Sequence, residues 1–337
     1  MKYKELGRSE IWVSALGLGL MPLAGTYGAS VEESQGYNLL EEALELGINF
    51  WDTADIYGVD YSGEKFLAPI LKDRREEVIL ATKFGFCLKP GYHDGFLPNS
   101  TYLNTRPEYI HQAVDASLLR LGTDYIDLYY AHRLDPQVPV EETVGAMGEL
   151  VKAGKVKAIG LSECTAEDLL RGNKEYPITA VESEFSLISS SAREEIIPLC
   201  LKLGVSFIPF APLGRGLVSS QLESKTPAEG DFRSRLPRFQ GESLERNRKL
   251  SRELRLYAER LGYTAAQLSL AWVMAQGEHL IPIPGTSRIE HLKKNAQSAE
   301  IVLSEENLNR INTILRENPP AGERYGENEN KFLKRKV

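Results

Sequence analysis

The chain has 337 residues, of which 42% are hydrophobic and 26% are charged, and its formal net charge is −7. This length and composition are typical of a globular protein with a large core, built either as one large domain or as two ordinary ones. The acidic balance argues against a general affinity for nucleic acid or an anionic membrane, although it leaves room for a local basic pocket that binds a small anion.

Three cysteines, Cys87, Cys164 and Cys200, have no CxxC spacing and cannot all pair. A disulfide framework and a thiolate metal site are therefore not expected, and a reducing, cytoplasmic setting is the simplest interpretation. The N-terminus has no long apolar segment behind it, and the apolar stretch 13–25 is broken by glycines and by Pro22. These features predict neither a signal peptide nor a membrane span.

A repeated junction organises the chain: a helical stretch ends in glycine, and a short β-branched or aromatic run follows at once. The glycines at these junctions are Gly47, Gly122, Gly154 and Gly204. Each stands where a helix would end in the left-handed conformation, in which a Cβ atom clashes with the backbone. These positions predict turns from helix to strand.

Helix starts are predicted where a capping hydroxyl stands three positions before an acid or an amide, as from Ser30 to Glu33, from Thr165 to Asp168 and from Thr264 to Gln267. Ser304, followed by two glutamates, marks a further start. These caps delimit helices between the apolar runs.

Eight strands are predicted, at 13–19, 48–52, 78–82, 125–131, 156–161, 178–182, 205–210 and 280–284. Helices are predicted between them, near 32–46, 63–71, 107–121, 140–153, 166–173, 192–203, 246–277 (as two helices) and 288–297. Strands that alternate with helices form a parallel sheet, and eight such units close a barrel. We therefore predict an α/β protein, a single-domain (β/α)8 TIM barrel over residues 1–318, followed by an irregular tail at 319–337.

A doubly wound open sheet is the alternative, but that fold carries a glycine-rich dinucleotide fingerprint after its first strand. The candidate stretch 17–21 lacks the third glycine, and Pro22 stands where a helix should begin. The closed barrel is favoured. Its three long connections, at 20–31, 84–106 and 211–245, would lie on the face where barrels carry their chemistry.

Four titratable side chains stand at or just after predicted strand ends: Asp52, Tyr57, Lys83 and His132. Taken singly, each has an ordinary structural explanation, such as a helix cap or a packed core residue. Together they suit protonation of a carbonyl oxygen, because a phenol is a poor acid at neutral pH and a nearby ammonium lowers its pKa. Asp52 would hold Lys83 charged, and His132 would hydrogen-bond the substrate oxygen. The other histidines lack ligand spacing, so no metal site is predicted.

Strings in chain order resemble the aldo-keto reductase superfamily: FWDTADIYG, ATKFG, DYIDLYYAHRLD, GKVKAIGLSE, AVESEFSL, FIPFAPLGRGL and IPIPGTSRIEHLKKN. The resemblance is greatest to a microbial and plant branch of stand-alone reductases, which includes pyridoxal reductases and general aldehyde reductases. It implies a (β/α)8 barrel that binds NADPH without a Rossmann fold and reduces an aldehyde or ketone. It also implies Tyr57 as general acid, Lys83 as the group that tunes it, Asp52 as its ion-pair support and His132 as the residue that orients the carbonyl.

The resemblance further implies a set of cofactor-binding residues at the remaining strand ends and on two loops: Ser162, Glu182, Phe210, Pro212, Leu213, Gly214, Gly216, Gly285, Thr286, Ser287, Arg288 and Asn295. Ser162 would hydrogen-bond the nicotinamide carboxamide, Phe210 would stack on the ring, and the loop 211–216 would cover the pyrophosphate. Segment 285–288 would hold the 2′-phosphate, because hydroxyls, helix N-terminal amides and a guanidinium suit a phosphate. NADPH is therefore expected over NADH.

Glu163, Glu182 and Phe210 depart from the residues usual in the wider superfamily, which are Asn, Gln and Tyr. Glu182 matters most, because a carboxylate offers no donor to the carboxamide carbonyl. Glu182 is thus expected either to alter cofactor affinity or to be protonated.

Two other functions remain open at this stage. One is a cofactor-binding regulatory or sensing subunit with little turnover, and the other is a barrel lyase or aldolase that uses Lys83 as a Schiff base. Aromatic side chains in the long connections suit either an apolar pocket or, as is more common, packing of the loops themselves: Tyr27, Phe84, Phe86, Tyr92 and Phe96. The expected partner is a small carbonyl substrate, whose identity, like the oligomeric state, the sequence does not reveal.

Overall fold

The computed structural model describes residues 1–28, 31–219, 225–326, 330 and 332. Its strands are β1 (Tyr3–Glu5), β2 (Trp12–Ser14), β3 (Leu18–Gly19), β4 (Phe50–Asp52), β5 (Ile79–Phe84), β6 (Phe86–Leu88), β7 (Thr101–Leu103), β8 (Ile126–Ala131), β9 (Val156–Ser162), β10 (Ala180–Glu184) and β11 (Ser206–Phe210). Seven of them form one parallel sheet in the order β11-β10-β9-β8-β5-β4-β3.

Helices alternate with these strands and cover the sheet: α1 (Glu33–Glu45), α2 (Ser62–Lys65), α3 (Ala68–Arg74), α4 (Pro107–Leu121), α5 (Val140–Lys152), α6 (Ala166–Glu175), α7 (Ile196–Leu203), α8 (Gly241–Arg260), α9 (Ala265–Met274), α10 (Ile289–Gln297) and α11 (Glu305–Glu317). The predicted pair of helices within 246–277 is confirmed as α8 and α9. No helix within the described ranges is long and apolar enough to cross a membrane.

Segment 280–284 closes the sheet into a barrel. On one side the N–H groups of Ile281 and Ile283 donate to Phe207 O (3.0 Å) and Pro209 O (3.1 Å), and on the other side Gly17 N–H donates to Pro282 O (2.9 Å). This segment is not a regular strand, because the prolines at 282 and 284 supply no N–H groups toward β3. The predicted (β/α)8 barrel is confirmed.

The first predicted strand, 13–19, divides into two pieces. β2 pairs antiparallel with β1 in a hairpin, and only β3 joins the barrel. The hairpin lies across the amino-terminal end of the barrel, where Lys4 Nζ donates to Leu280 O (3.1 Å) and Gly7 N–H donates to Ser206 Oγ (2.7 Å). Apart from Ser14 the run has no polar side chain, so its composition does not mark the break.

Side chains of the strands alternate between the barrel interior and the helix layer. Phe50 packs inside with Leu128, Tyr130 and Ile208, whereas Trp51 packs among the residues that face the helices. This alternation directs Asp52, two residues after Phe50, into the barrel. The last residue of β4, Asp52, therefore places its carboxyl group at the inner rim of the barrel.

The four predicted helix-to-strand glycines all have left-handed backbones, with φ of 75° at Gly47, 65° at Gly122, 74° at Gly154 and 69° at Gly204. The predictions of these turns are confirmed.

Capping boxes form at Thr165, Thr264 and Ser304, each with the residue three positions on. The predicted cap Ser30 lies outside the described residues, and the N-cap of α1 is Glu32, which makes no side-chain cap bond.

The long connections contain structure that the sequence did not predict. Within 84–106, β6 and β7 form an antiparallel hairpin, and within 211–245 short 3-10 helices lie at 214–216, 232–235 and 237–239. The described part of the tail also lies over this end of the barrel. Arg324 Nη2 donates to Glu163 Oε1 (2.6 Å), and Arg215 Nη2 donates to Tyr325 Oη (2.7 Å).

Candidate active site

A cavity of about 650 Å³ opens at the carboxyl ends of the strands. Asp52, Tyr57, His132, Ser162 and Glu182 line it, and Lys83 lies buried beneath them. The parallel topology brings these residues together, because the carboxyl ends of β4, β5, β8, β9 and β10 meet at one rim. The sequence predicted each of these positions.

An ion pair forms the floor of the cavity. Lys83 is fully buried, and its Nζ donates to Asp52 Oδ1 (2.5 Å) and Thr53 O (2.9 Å) and lies 3.4 Å from Glu182 Oε2. Burial lowers the pKa of Lys83, but the charge of Asp52, with that of Glu182 when Glu182 is ionised, raises it by more, so the net pKa is above its usual value. The ammonium is therefore charged at neutral pH.

Tyr57 stands above this ion pair. Lys83 Nζ lies 5.4 Å from the centre of its ring, and the Tyr57 ring stacks on Phe96 (5.8 Å) and meets His132 edge to face (5.8 Å). The sequence predicts that Lys83 lowers the pKa of Tyr57. It does so, but burial raises the pKa by more, and the net pKa is above its ordinary value. Tyr57 is thus a neutral phenol that carries its proton in this structure.

His132 follows β8 and faces the same space. Burial, followed by the charges of Lys83 and Arg133, holds its pKa well below the usual value, so the imidazole is neutral. Its Nδ1 is buried and has no hydrogen-bond partner among the described residues. A neutral imidazole beside Tyr57 suits a hydrogen bond to a carbonyl oxygen.

Glu182 and Asp52 form a pair of buried carboxyl groups. Burial, and then the charge of Asp52, raise the pKa of Glu182 to about 8. Asp52 Oδ2 and Glu182 Oε2 accept no hydrogen bond from any described residue. If Glu182 is protonated, its carboxyl group can donate a hydrogen bond to Asp52. The protonated form of Glu182, one of the two expected outcomes, is the form that this geometry favours at neutral pH.

Arg133 is a site residue that was not predicted from the sequence. It is buried, and its Nη1 donates to His132 O (2.5 Å) and Ser162 Oγ (3.1 Å). Its position directly after His132 at a strand end was the only sequence signal. The structure places its guanidinium between the carbonyl-orienting candidate and the carboxamide candidate.

The loop after β11 forms one wall of the cavity. Phe210, Pro212, Leu213 and Gly216 line it, whereas Gly214 does not. The Gly214 N–H donates to Ala211 O (2.8 Å), its φ is 59°, and a Cβ there would lie 2.5 Å from Ile188. Gly214 therefore shapes the turn behind the cavity wall.

The opposite end of the cavity is polar and basic. Gly285, Thr286, Ser287, Arg288 and Asn295 line it; the first four precede α10, and Asn295 lies within that helix. Thr286 Oγ1 accepts from Arg288 N–H (3.1 Å), and the Arg288 side chain is 62% exposed. Lys294, which was not predicted from the sequence, also lines this end.

Aromatic rings from the long connections surround the mouth near Tyr57. Tyr27, Phe86 and Phe96 line the cavity as expected, but Phe84 packs in the core and Tyr92 points to solvent. Two rings that were not predicted join them. They are Phe232, 6.2 Å from Phe96, and Phe332 of the tail, 5.3 Å from Phe86.

Comparison with known proteins gives a consistent match. The model of the Aldo/keto reductase family covers residues 15–316. A probable aldo-keto reductase 1 of Glycine max is 40% identical over 323 residues, which are 95% of this chain and 91% of that protein.

Solved structures with the same fold include a glycerol dehydrogenase of Gluconobacter oxydans, with 24% identity and a TM-score of 0.85 over 95% of this chain and 97% of that one. They also include an aldo-keto reductase of Bacillus halodurans in its holo form, with 29% identity and a TM-score of 0.75 over 97% and 99% of the two chains.

Proposed function

Because the chain belongs to the Aldo/keto reductase family, we propose that it is an NADPH-dependent reductase that converts an aldehyde or ketone into the alcohol, reversibly, with Tyr57 as proton donor. The observation that carries the proposal is the convergence of a protonated Tyr57, a neutral His132 and a buried Lys83–Asp52 pair on one cavity. The setting we propose is cytoplasmic, in keeping with Cys87, Cys164 and Cys200, which are free thiols.

The cavity fits the proposed cofactor at both ends. One end offers hydroxyls and cations to a phosphate through Thr286, Ser287 and Arg288. The other offers Ser162 and a protonated Glu182 to a carboxamide, which needs both a donor and an acceptor. When bound, NADPH supplies the hydride for the carbonyl carbon.

The chain's own residues would supply the proton and the polar environment. His132 would hydrogen-bond the carbonyl oxygen and hold it beside Tyr57. The Tyr57 hydroxyl would give its proton to that oxygen as negative charge develops there, and the Lys83 ammonium would stabilise the tyrosinate left behind. Asp52 would keep Lys83 charged and in place, so it would act as a positioning residue.

The Schiff-base alternative is not supported by the geometry. A lysine nucleophile must be neutral and reach its substrate, whereas Lys83 is fully buried with its pKa raised above the usual value. A turnover assay distinguishes the reductase from the regulatory alternative, because a sensing subunit would bind NADPH without oxidising it.

The proposed cofactor preference is tested by initial rates with NADPH and with NADH over a panel of aldehydes. Removing the Arg288 guanidinium in Arg288→Ala deletes charge-assisted hydrogen bonds to a phosphate that NADH lacks. We expect the KM for NADPH to rise about tenfold and the KM for NADH to change little.

Lys293→Ala is the matched control, because Lys293 is a basic residue of α10, the helix that follows Arg288, but does not line the cavity. Equal losses with both cofactors in Arg288→Ala would contradict the assignment of the phosphate end.

A further inference from the structure

The cavity is rich in cations although the chain as a whole is acidic. Its described lining contains three acids, Asp52, Glu182 and Glu259, and a larger set of basic residues: Arg133, Arg215, Arg233, Arg235, Arg255, Arg288 and Lys294. The proposed cofactor is itself an anion, so the question is which cation remains for the substrate.

Most of these cations have an assigned partner or place. Arg215 pairs with Glu184 (3.0 Å) and Arg233 with Asp231 (2.6 Å). Arg288 and Lys294 lie at the end proposed for the 2′-phosphate. Arg133 donates to Ser162 Oγ and lies near Glu182, in the part of the cavity proposed for the nicotinamide.

Arg235 differs from all of these. It is half-buried, and among the described residues it forms no ion pair. Its Nη2 donates to the carbonyl oxygen of Phe96 (2.5 Å), and its guanidinium carbon lies 5.1 Å from the ring of Phe232. One backbone bond and one ring contact fix this group at the cavity wall.

Its neighbours place Arg235 on the substrate side of the cavity. Phe96, which accepts its hydrogen bond, stacks directly on Tyr57. Phe232, on which it lies, packs against Phe96. Only Phe96 therefore lies between the Arg235 guanidinium and Tyr57, the proposed proton donor, and apolar rings line the cavity between them.

We propose that the carbonyl substrate carries an anionic group, a carboxylate or a phosphate, which binds Arg235 while its carbonyl lies beside Tyr57. This inference rests on the proposed function and names its substrate class. A guanidinium binds such anions through two parallel hydrogen bonds, and apolar surroundings strengthen the attraction. The rings of Phe86, Phe96 and Phe232 would pack against the spacer between the two groups.

The test compares two aldehydes that differ in charge. The probes are 4-formylbenzoate and its neutral methyl ester, with 3-formylbenzoate and its ester to vary the distance between the groups, each at saturating NADPH. For the better-fitting acid, we expect kcat/KM to exceed that of its ester about tenfold, mainly through a lower KM.

The variants locate the effect. Arg235→Gln should bring the ratio of acid to ester close to one, and Arg235→Lys should retain part of the ratio because it keeps the charge. Arg310→Gln, an exposed site on α11, is the control for the change in net charge and should keep the wild-type ratio.

Two results would overturn the inference and leave the proposed function standing: both esters turned over as well as their acids, or a preference for the acid that survives in Arg235→Gln. A protein that reduces none of the four aldehydes with NADPH, and no other aldehyde in the panel, would remove the proposed function and this inference with it.

Discussion

At the residue scale, the buried carboxyls of Asp52 and Glu182 make the site sensitive to pH. A proton on Glu182 allows the two carboxyl groups to share a hydrogen bond. The Lys83 ammonium then balances the one negative charge that remains, on Asp52. The groups that face Glu182 are Asp52, Lys83, Arg133, Tyr57 and Tyr130. When Glu182 ionises, a second negative charge appears beside Tyr57 and raises its pKa further.

This arrangement predicts a loss of reductase activity above about pH 8, the pKa of Glu182. Below that pH Glu182 is neutral and Tyr57 is a better acid; above it the added charge makes Tyr57 a worse one. In Glu182→Gln this alkaline loss should move to higher pH. The measurement is kcat/KM for reduction from about pH 6 to about pH 10 in both proteins.

Identical profiles for wild type and Glu182→Gln would show that another group sets the alkaline limit. Glu163→Gln serves as the comparison, because Glu163 lies beside the tail and does not line the cavity.

Much of the site was predictable at this scale because it depends on local rules. Strand alternation directs Phe50 and Asp52 inward, and the carboxyl ends of parallel strands gather Lys83 and His132 on one rim. Arg133 and Arg235 were not predictable, since a long side chain's direction depends on loop packing that no short sequence pattern encodes.

At the element scale, the helix-to-strand turn at Gly154 depends on glycine for conformation rather than for space. Gly154 has φ of 74°, and a Cβ atom there would meet no atom of the described residues within 4 Å. Gly154→Ala should therefore lower the free energy of unfolding by about 1–2 kcal/mol through backbone strain alone. Gly154→Asn should lose less, because Asn tolerates the left-handed region.

Chemical denaturation of the two variants checks this prediction. Gly160→Ala supplies the contrast, because its Cβ would lie 2.4 Å from the Tyr130 ring, so it should lose stability through overpacking. Equal stability of Gly154→Ala and wild type would contradict the strain argument.

The order of the elements followed from the glycine turns and the caps, and the details that escaped prediction share a cause. The break between β2 and β3 lies in one apolar run, and the β6–β7 hairpin lies in a loop whose pairing depends on tertiary contacts. The closing segment 280–284 was placed correctly, but its two prolines limit regular pairing to one side.

At the scale of the whole molecule, Glu184 joins three parts of the chain. It lies at the end of β10 and pairs with Arg215 (3.0 Å), Arg238 (3.1 Å) and Arg324 (3.4 Å), which belong to two loop segments and the tail. Burial raises its pKa, but the three guanidinium groups lower it by more, to about 2.

A depressed folded pKa predicts a loss of stability in acid. The stabilisation from Glu184 is fully present above its unfolded pKa of 4.5 and is lost as the pH falls toward 2, on the order of 3 kcal/mol in all. Glu184→Gln should lack this increment near neutral pH and lose less stability on acidification. Denaturant unfolding at several pH values measures it.

Glu194→Gln, at an exposed position, is the control for the change in charge. A Glu184→Gln protein as stable as wild type near neutral pH would contradict the linkage.

The closed barrel was predictable from eight alternating units, because that number closes a parallel sheet. The contacts of the tail were not, since residues 319–337 have no periodicity to indicate where they pack. They lie outside the predicted barrel, yet Arg324 and Tyr325 rest on its carboxyl-terminal face.

The central claim, that Tyr57 gives the proton in an NADPH-dependent carbonyl reduction, is tested most directly by the rate of NADPH oxidation by wild type and Tyr57→Phe. Tyr3→Phe, on the hairpin at the far end of the barrel, is the control. We predict that wild type and Tyr3→Phe oxidise NADPH when aldehyde is added, and that kcat in Tyr57→Phe falls by about 10²–10⁴. Wild-type turnover in Tyr57→Phe, or NADPH binding without turnover in wild type, would contradict the account.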